Sequence, residues 1–119
     1  ELLDRVGLAG KAGQVTQALS HGEHRRMELA IALATQADLM LLDEPMAGLG
    51  AEESLRMVDL LKSIKRKHTI LLVEHDMDAV FARADRVSVL VYGRIIATGA
   101  PEEIRANAEG QSAYLGEEA

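Results

Sequence analysis

Two short apolar runs, each ending abruptly on acidic groups, constrain this chain more than any other feature. The first is Leu39-Met40-Leu41-Leu42, which runs into Asp43, Glu44 and Pro45; the second is Thr69-Ile70-Leu71-Leu72-Val73, which runs into Glu74, His75 and Asp76. Continuous apolar runs of this length predict strands buried on both faces of a sheet. Pro45 stops the first strand, leaving Asp43 and Glu44 at its carboxyl end. Between the two runs, residues 51–66 carry Leu55, Val58, Leu61 and Ile64 at intervals of three. Glu52 and Glu53 open that segment, and Lys62, Lys65, Arg66, Lys67 and His68 close it, as the two ends of a helix dipole prefer. Two strands joined by one crossover helix form a βαβ unit, in which both carboxyl ends lie on the same edge of a parallel sheet. Ligands bind at that edge in open α/β sheets, so Asp43, Glu44 and His75 are expected to converge there.

The rest of the chain reads as further short elements. Ser20-His21-Gly22-Glu23 fits the Ser-x-x-Glu capping box, and a helix is predicted from there to about Ala34. Met27, Ala30, Ile31 and Ala34 are its expected apolar face. Arg25 and Arg26 stand in its first turn, at the positive end of the dipole, so something other than helix stability is expected to want them there. Residues 1–6 read as the end of a helix and residues 7–19 as a loop. Asp76 is suited to cap a short helix over residues 77–84. After Arg86 the residues alternate, with Val87, Val89 and Val91 on one side and Ser88, Leu90 and Tyr92 on the other, until Gly93 turns the chain into Ile95-Ile96-Ala97-Thr98; this predicts a hairpin. A last short helix starts near Pro101, and from about Asn107 the chain reads as a small, polar, acidic tail apart from Tyr114 and Leu115.

Composition narrows the setting. A length of 119 residues allows one domain with a real core. The chain opens on a helix-like stretch with no initiator Met or targeting segment, so a piece of something larger is expected. Cysteine is absent, which removes disulfides and thiolate metal sites and makes the cytosol the default setting. No apolar run approaches the roughly 18 residues needed to cross a bilayer, so any tie to a membrane goes through a partner. A net charge of −6 disfavours a nucleic-acid surface. The basic cluster at 62–68 reads as helix-end cations, with a phosphate-binding patch as the alternative.

With LSHGE at 19–23, LMLLDEP at 39–45 and LLVEHD at 71–76 in that order, the chain resembles the C-terminal half of an ABC transporter ATP-binding subunit over essentially its whole length. LSHGEHRRMELAIALA, the DEPMAGLG loop and the ending RIIATGAPEEIRAN followed by AYLGEE resemble the branched-chain amino-acid uptake class; the lipopolysaccharide-export ATPases end similarly. The resemblance implies an α/β fold. Residues 36–100 would be the C-terminal part of a RecA-like P-loop NTPase core, a parallel sheet with flanking helices and a C-terminal β-hairpin. Residues 1–35 would be part of the ABC helical subdomain with its signature motif, and residues 101–119 a C-terminal helix and tail.

The same resemblance implies roles for particular residues. Ser20 and Gly22 match the signature motif, Leu-Ser-Gly-Gly-Gln in the family, which binds the γ-phosphate of ATP held by the opposite subunit. A helix N-terminus with free amides suits that task, although the same residues equally make a plain helix cap. His21 replaces a Gly of the motif and Glu23 its Gln. Asp43 matches the Walker B aspartate, which holds Mg²⁺ chiefly through water, and Glu44 matches the catalytic glutamate that orients and polarises the attacking water. Without the family, such an acid pair caps a following helix or faces solvent. His75 matches the switch-loop histidine that contacts the γ-phosphate. The loop 47–50 takes the place of the D-loop, but Gly50 stands where an Asp is usual, so the customary side-chain bond to the partner subunit cannot form. ATP and Mg²⁺ as cofactors, a second ATP-binding subunit and a transmembrane permease as partners, and a cytoplasmic position peripheral to the membrane all follow from the resemblance.

No G-x-x-x-x-G-K-[ST] loop occurs in the sequence, nor do the family's glutamine loop or adenine-stacking aromatic. The expectation is that this chain alone neither binds ATP tightly nor hydrolyses it. Unpaired strand edges further predict self-association. A non-catalytic dimerisation or regulatory piece is the remaining alternative.

Overall fold

Both apolar runs form strands, and they pair as the βαβ pattern requires. In the computed structural model, which describes residues 1–114, β1 (Leu39–Asp43) and β2 (Thr69–Val73) run parallel, from Leu39 opposite Thr69 to Asp43 opposite Val73. The described chain divides into two compact units that part between Glu74 and His75.

In the first unit, α1 (Leu2–Arg5) is followed by two single 3₁₀ turns, α2 (His21–Ala34), β1, the crossover helix α3 (Ala51–Ile64) and β2. The register of the two strands is set at both ends. At the start, the Thr69 N–H donates to Asp38 O (2.8 Å) and His68 Nδ1 lies 2.8 Å from Ala37 O. At the finish, the Glu44 N–H donates to Val73 O (2.7 Å). His68 is therefore half-buried and ties two loops together, whereas its sequence position placed it among the helix-end cations.

The expectation of strands buried on both faces is corrected. Met40 is buried, as are Met57, Val58, Leu61 and Ile64 of α3. On the other face, Leu39, Leu41, Leu71 and Val73 are 54%, 70%, 59% and 55% exposed. A parallel sheet needs helices on both faces, and one crossover helix covers only one. The apolar face of α2 is corrected as well. Its buried residues are Gly22, Arg26, Leu29, Ala30 and Leu33; Ile31 and Ala34 are exposed and Met27 is only half-buried. The stripe turns because Arg26, a cation, lies on the inside. Its Nη1 donates to the carbonyls of Val6 (3.3 Å) and Gly7 (3.2 Å), just past the end of α1. Arg26 is the sixth residue of α2, in its second turn and not the first, and its guanidinium serves those two carbonyls.

In the second unit, Asp76 caps α4 (Met77–Arg83), its Oδ1 accepting from the Ala79 N–H at 3.2 Å. The hairpin of β3 (Val87–Val91) and β4 (Arg94–Gly99) turns through Tyr92 and Gly93, at φ of 46° and 77°. Positive φ at both central residues is the backbone of a type I′ turn, which matches strand twist. Val89 pairs with Ala97 and Leu90 with Ile95, so Ile96 is an extra residue that bulges β4. α5 (Pro101–Ala106) buries Pro101 and Ile104, and the Arg105 guanidinium lies 4.7 Å from the Phe81 ring centre. Residues 108–114, read as tail from the sequence, form a further short helix, α6 (Ala108–Tyr114), against α5, β3 and β4. Seven residues without an apolar stripe are too few to announce a helix, because such a segment is stable only where it packs. Residues 115–119 of the expected tail lie outside the described residues. Among the described residues, no helix is long and apolar enough to cross a membrane.

Candidate functional site

Backbone hydrogen bonds fix the chain where the acids follow β1. Asp43 is the last strand residue and is exposed. Glu44 follows at φ 46°, directly before Pro45. A positive φ is unfavourable for glutamate, and a following proline drives its neighbour toward extended backbone, so this conformation opposes two local preferences. Two hydrogen bonds hold it: the Glu44 N–H donates to Val73 O at 2.7 Å, and Glu44 O accepts from the Ala47 N–H at 3.0 Å. One residue beyond Val73, Glu74 Oε2 accepts from the Met46 N–H at 3.3 Å. Asp43, Glu44 and Glu74 thus share one edge of the parallel pair. Glu74 was legible in the sequence only as a polar strand end; that it faces the acids after β1 was the available signal. His75 follows directly, is exposed, and opens the second unit just before the cap residue Asp76.

Ser20 and Gly22 lie together at the N-terminus of α2, and the predicted capping box is present. Ser20 Oγ accepts from the Glu23 N–H (3.2 Å) while Glu23 Oε2 accepts from the Ser20 N–H (2.9 Å). That backbone bond, reinforced by Lys11 at 3.4 Å, holds the Glu23 carboxyl below its ordinary value. Gly22 is buried, and a Cβ on it would lie 2.5 Å from Glu53 Oε2. The space beside this glycine is therefore taken by a carboxylate of α3, and a phosphate reaching the helix end must approach from another side. Glu53 in turn pairs with Arg26 (Nε at 3.8 Å) and Arg56 (Nη1 at 3.4 Å). Glu53 was legible in the sequence only as an acid opening the crossover helix, not as the partner of Arg26 or the neighbour of Gly22.

The loop after β1 touches the same helix end. His21 Nε2 lies 3.1 Å from Ala47 O. Gly48 has φ 76°, and a Cβ there would lie 2.7 Å from the same nitrogen. Gly50, in the D-loop place, is the N-cap of α3 and brings no side-chain bond. An apolar cavity of about 300 Å³ lies over the open sheet face, lined by Leu41, Leu42, Asp43, Leu71 and Val73. As a donor set, one exposed carboxylate at a strand end fits Mg²⁺, which takes one or two protein oxygens and completes its shell with water and phosphate. Among the described residues, no three ligating side chains gather as a closed metal cage would need.

Comparison with known proteins finds relatives over almost the whole chain. A family profile described as ABC transporter matches residues 1–47, which include Ser20, Gly22, Asp43 and Glu44, and one described as branched-chain amino acid ATP-binding cassette transporter matches residues 94–119. The chain belongs to the ABC transporter ATP-binding family. It is 42% identical over 117 residues to the high-affinity branched-chain amino acid transport ATP-binding protein LivG of Salmonella typhimurium, covering 97% of this chain and 46% of that protein. To BraF of Pseudomonas aeruginosa, which carries the same description, it is 38% identical with the same coverage. The crystal structure of the ADP conformation of MJ1267, an ATP-binding cassette of an ABC transporter, superimposes with a TM-score of 0.84 at 26% identity, over 98% of this chain and 48% of that one. This ABC chain therefore spans about half the length of the relatives it matches. Its parallel β1–β2 pair and antiparallel hairpin are the mixed α/β fold of ABC ATPase domains.

Proposed function

We propose that this chain forms the magnesium and water side of an ATP site, in a subunit that energises uptake of branched-chain amino acids or related solutes. The observation that carries the reading is the parallel register, which sets Asp43 opposite Val73 and lets Val73 O fix the Glu44 backbone at the strand edge. Glu44, held in this way, orients a water and polarises it for in-line attack on the γ-phosphate. Asp43 contributes its carboxylate to Mg²⁺, and the ion, when bound, neutralises phosphate charge. His75, two residues beyond Val73, contacts the γ-phosphate and registers its loss. Ser20, with the amides at the α2 N-terminus and the nearby Gly22, receives the γ-phosphate of ATP held by a second subunit. The assembly would meet a transmembrane permease at the cytoplasmic side of the membrane. The match at residues 94–119 favours amino-acid uptake over lipopolysaccharide export.

The sequence lacks the phosphate loop, so ATP turnover requires more than these 119 residues. In the intact two-subunit ATPase, Glu44→Gln is expected to lower kcat by roughly 10²–10⁴ while leaving the ATP KM nearly unchanged. Retained turnover would overturn the role of Glu44. Magnesium-dependent ATPase in the pure chain, abolished by Glu44→Gln, would overturn the claim that the chain alone is inactive.

A further inference from the structure

We infer that His21 is a positioning residue that fastens the signature helix to the loop carrying the catalytic Glu44. The loop between β1 and α3 is anchored at its start by the Glu44 and Met46 amides, bonded to Val73 O and Glu74 Oε2. Past Met46, it relies on its own turns, with the Ala47 N–H on Glu44 O (3.0 Å) and the Leu49 N–H on Met46 O (3.2 Å). At the far end, Gly50 has no side chain with which to hold anything. His21 supplies the missing bond from outside the loop. A carbonyl only accepts, so the 3.1 Å contact requires a proton on His21 Nε2, which donates to Ala47 O. That proton is present in the neutral Nε2–H tautomer and in the imidazolium alike.

Ala47 is bonded in both directions, through its carbonyl to His21 and through its N–H to Glu44. A displacement of His21 thus reaches Glu44 through one residue. Gly48 secures the same contact, because any Cβ there would stand 2.7 Å from Nε2 and push the ring away. His21 also lies between Ser20 and Gly22. Whatever draws on the N-terminus of α2 therefore draws on the residue that holds the loop. The catalytic consequence rests on the ATPase reading above; the link itself does not.

Amide hydrogen exchange on this chain tests the link. His21→Ala is expected to speed exchange at Ala47 and Leu49 about tenfold, the equivalent of one net hydrogen bond, with Leu29 and Leu33 in α2 unchanged. His21→Gln, which keeps an amide donor, should restore protection, and His21→Phe, which keeps only the ring, should not. Unchanged exchange in His21→Ala, or equal rescue by Gln and Phe, overturns the link. A ¹⁵N shift of His21 reporting an unprotonated Nε2 in the neutral ring would also overturn it. In the intact two-subunit ATPase, His21→Ala should lower kcat about tenfold with little change in the ATP KM, and His21→Gln should recover it. If exchange responds but kcat does not, the coupling to Glu44 is overturned. An unmutated assembly with no ATPase would instead defeat the proposed function, and the exchange data would still decide the link.

Discussion

Two tight turns in this protein make nearly the same backbone demand for opposite reasons. Each contains a residue with a side chain at φ 46°, Glu44 in one and Tyr92 in the other, and each contains a glycine at φ close to 76°, Gly48 and Gly93. In the hairpin the two are adjacent, Tyr92 is 96% exposed, and nothing would meet a Cβ on Gly93 within 4 Å. The type I′ geometry of the turn alone requires the positive angles. After β1 the two residues are four apart, and no local turn type asks for Glu44 to be left-handed before a proline. There the conformation is held by Val73 O, by the Ala47 N–H and by His21 packed over Gly48. Backbone strain that is satisfied locally is turn chemistry; strain that distant residues maintain marks a place where the position of a side chain matters.

Glycine at each strained position draws the sharpest contrast. Glu44→Gly and Tyr92→Gly both remove an unfavourable left-handed residue, worth about 1–2 kcal/mol, and both loosen the unfolded chain by about half that. Urea unfolding of either variant should therefore stay within about 1 kcal/mol of the parent. Phosphate release by the intact ATPase should separate them, falling by about 100-fold or more for Glu44→Gly and not at all for Tyr92→Gly. A loss of several kcal/mol in Glu44→Gly would show that its side chain is an anchor of the fold instead.

The glycines come next. Gly93→Ala should cost only the left-handed penalty, about 1 kcal/mol, whereas Gly48→Ala must also displace His21 and should cost about 2–3 kcal/mol. In a His21→Ala background, the excess at Gly48 should vanish, which a double-mutant cycle would measure directly.

Two smaller effects concern the helix end that holds the loop. Ser20→Ala should cost about 1 kcal/mol, because the Glu23 amide loses its acceptor. The pH effect is smaller still. Glu23 is held below its ordinary value first by the Ser20 amide and then by Lys11, so its contribution is complete above the unfolded-state value and is lost as pH falls through the depressed folded one. Between about pH 5 and pH 3, the parent should lose stability relative to Glu23→Gln, while the Ser88–Thr98 hydroxyl contact of the hairpin keeps its chemical shifts.

Much of the fold is legible residue by residue. The strand ends, the capping box at Ser20 and Glu23, the crossover helix and the hairpin at Gly93 all rest on neighbours within a few positions, where periodicity and turn chemistry act. The candidate site was legible to the same depth, since Asp43, Glu44 and Ser20 each terminate or cap an element. The contacts that give the site its shape were not. His21 with Ala47, Met46 with Glu74, Gly22 with Glu53 and Arg26 with Val6 each join residues about 20 or more positions apart. The buried stripe of α2 was misread for that reason, because an inward arginine makes sense only once two distant carbonyls are seen to need a donor.

By itself the sequence determined which residues end the strands, which cap the helices and that β1 and β2 run in parallel, since these follow from local geometry and chain connectivity. Tertiary structure alone decided which sheet face stays open, why Gly22 and Gly48 must lack side chains, and what holds Glu44 in an unfavourable conformation. Those outcomes depend on atoms brought together from distant parts of the chain, and no local pattern encodes where such atoms meet.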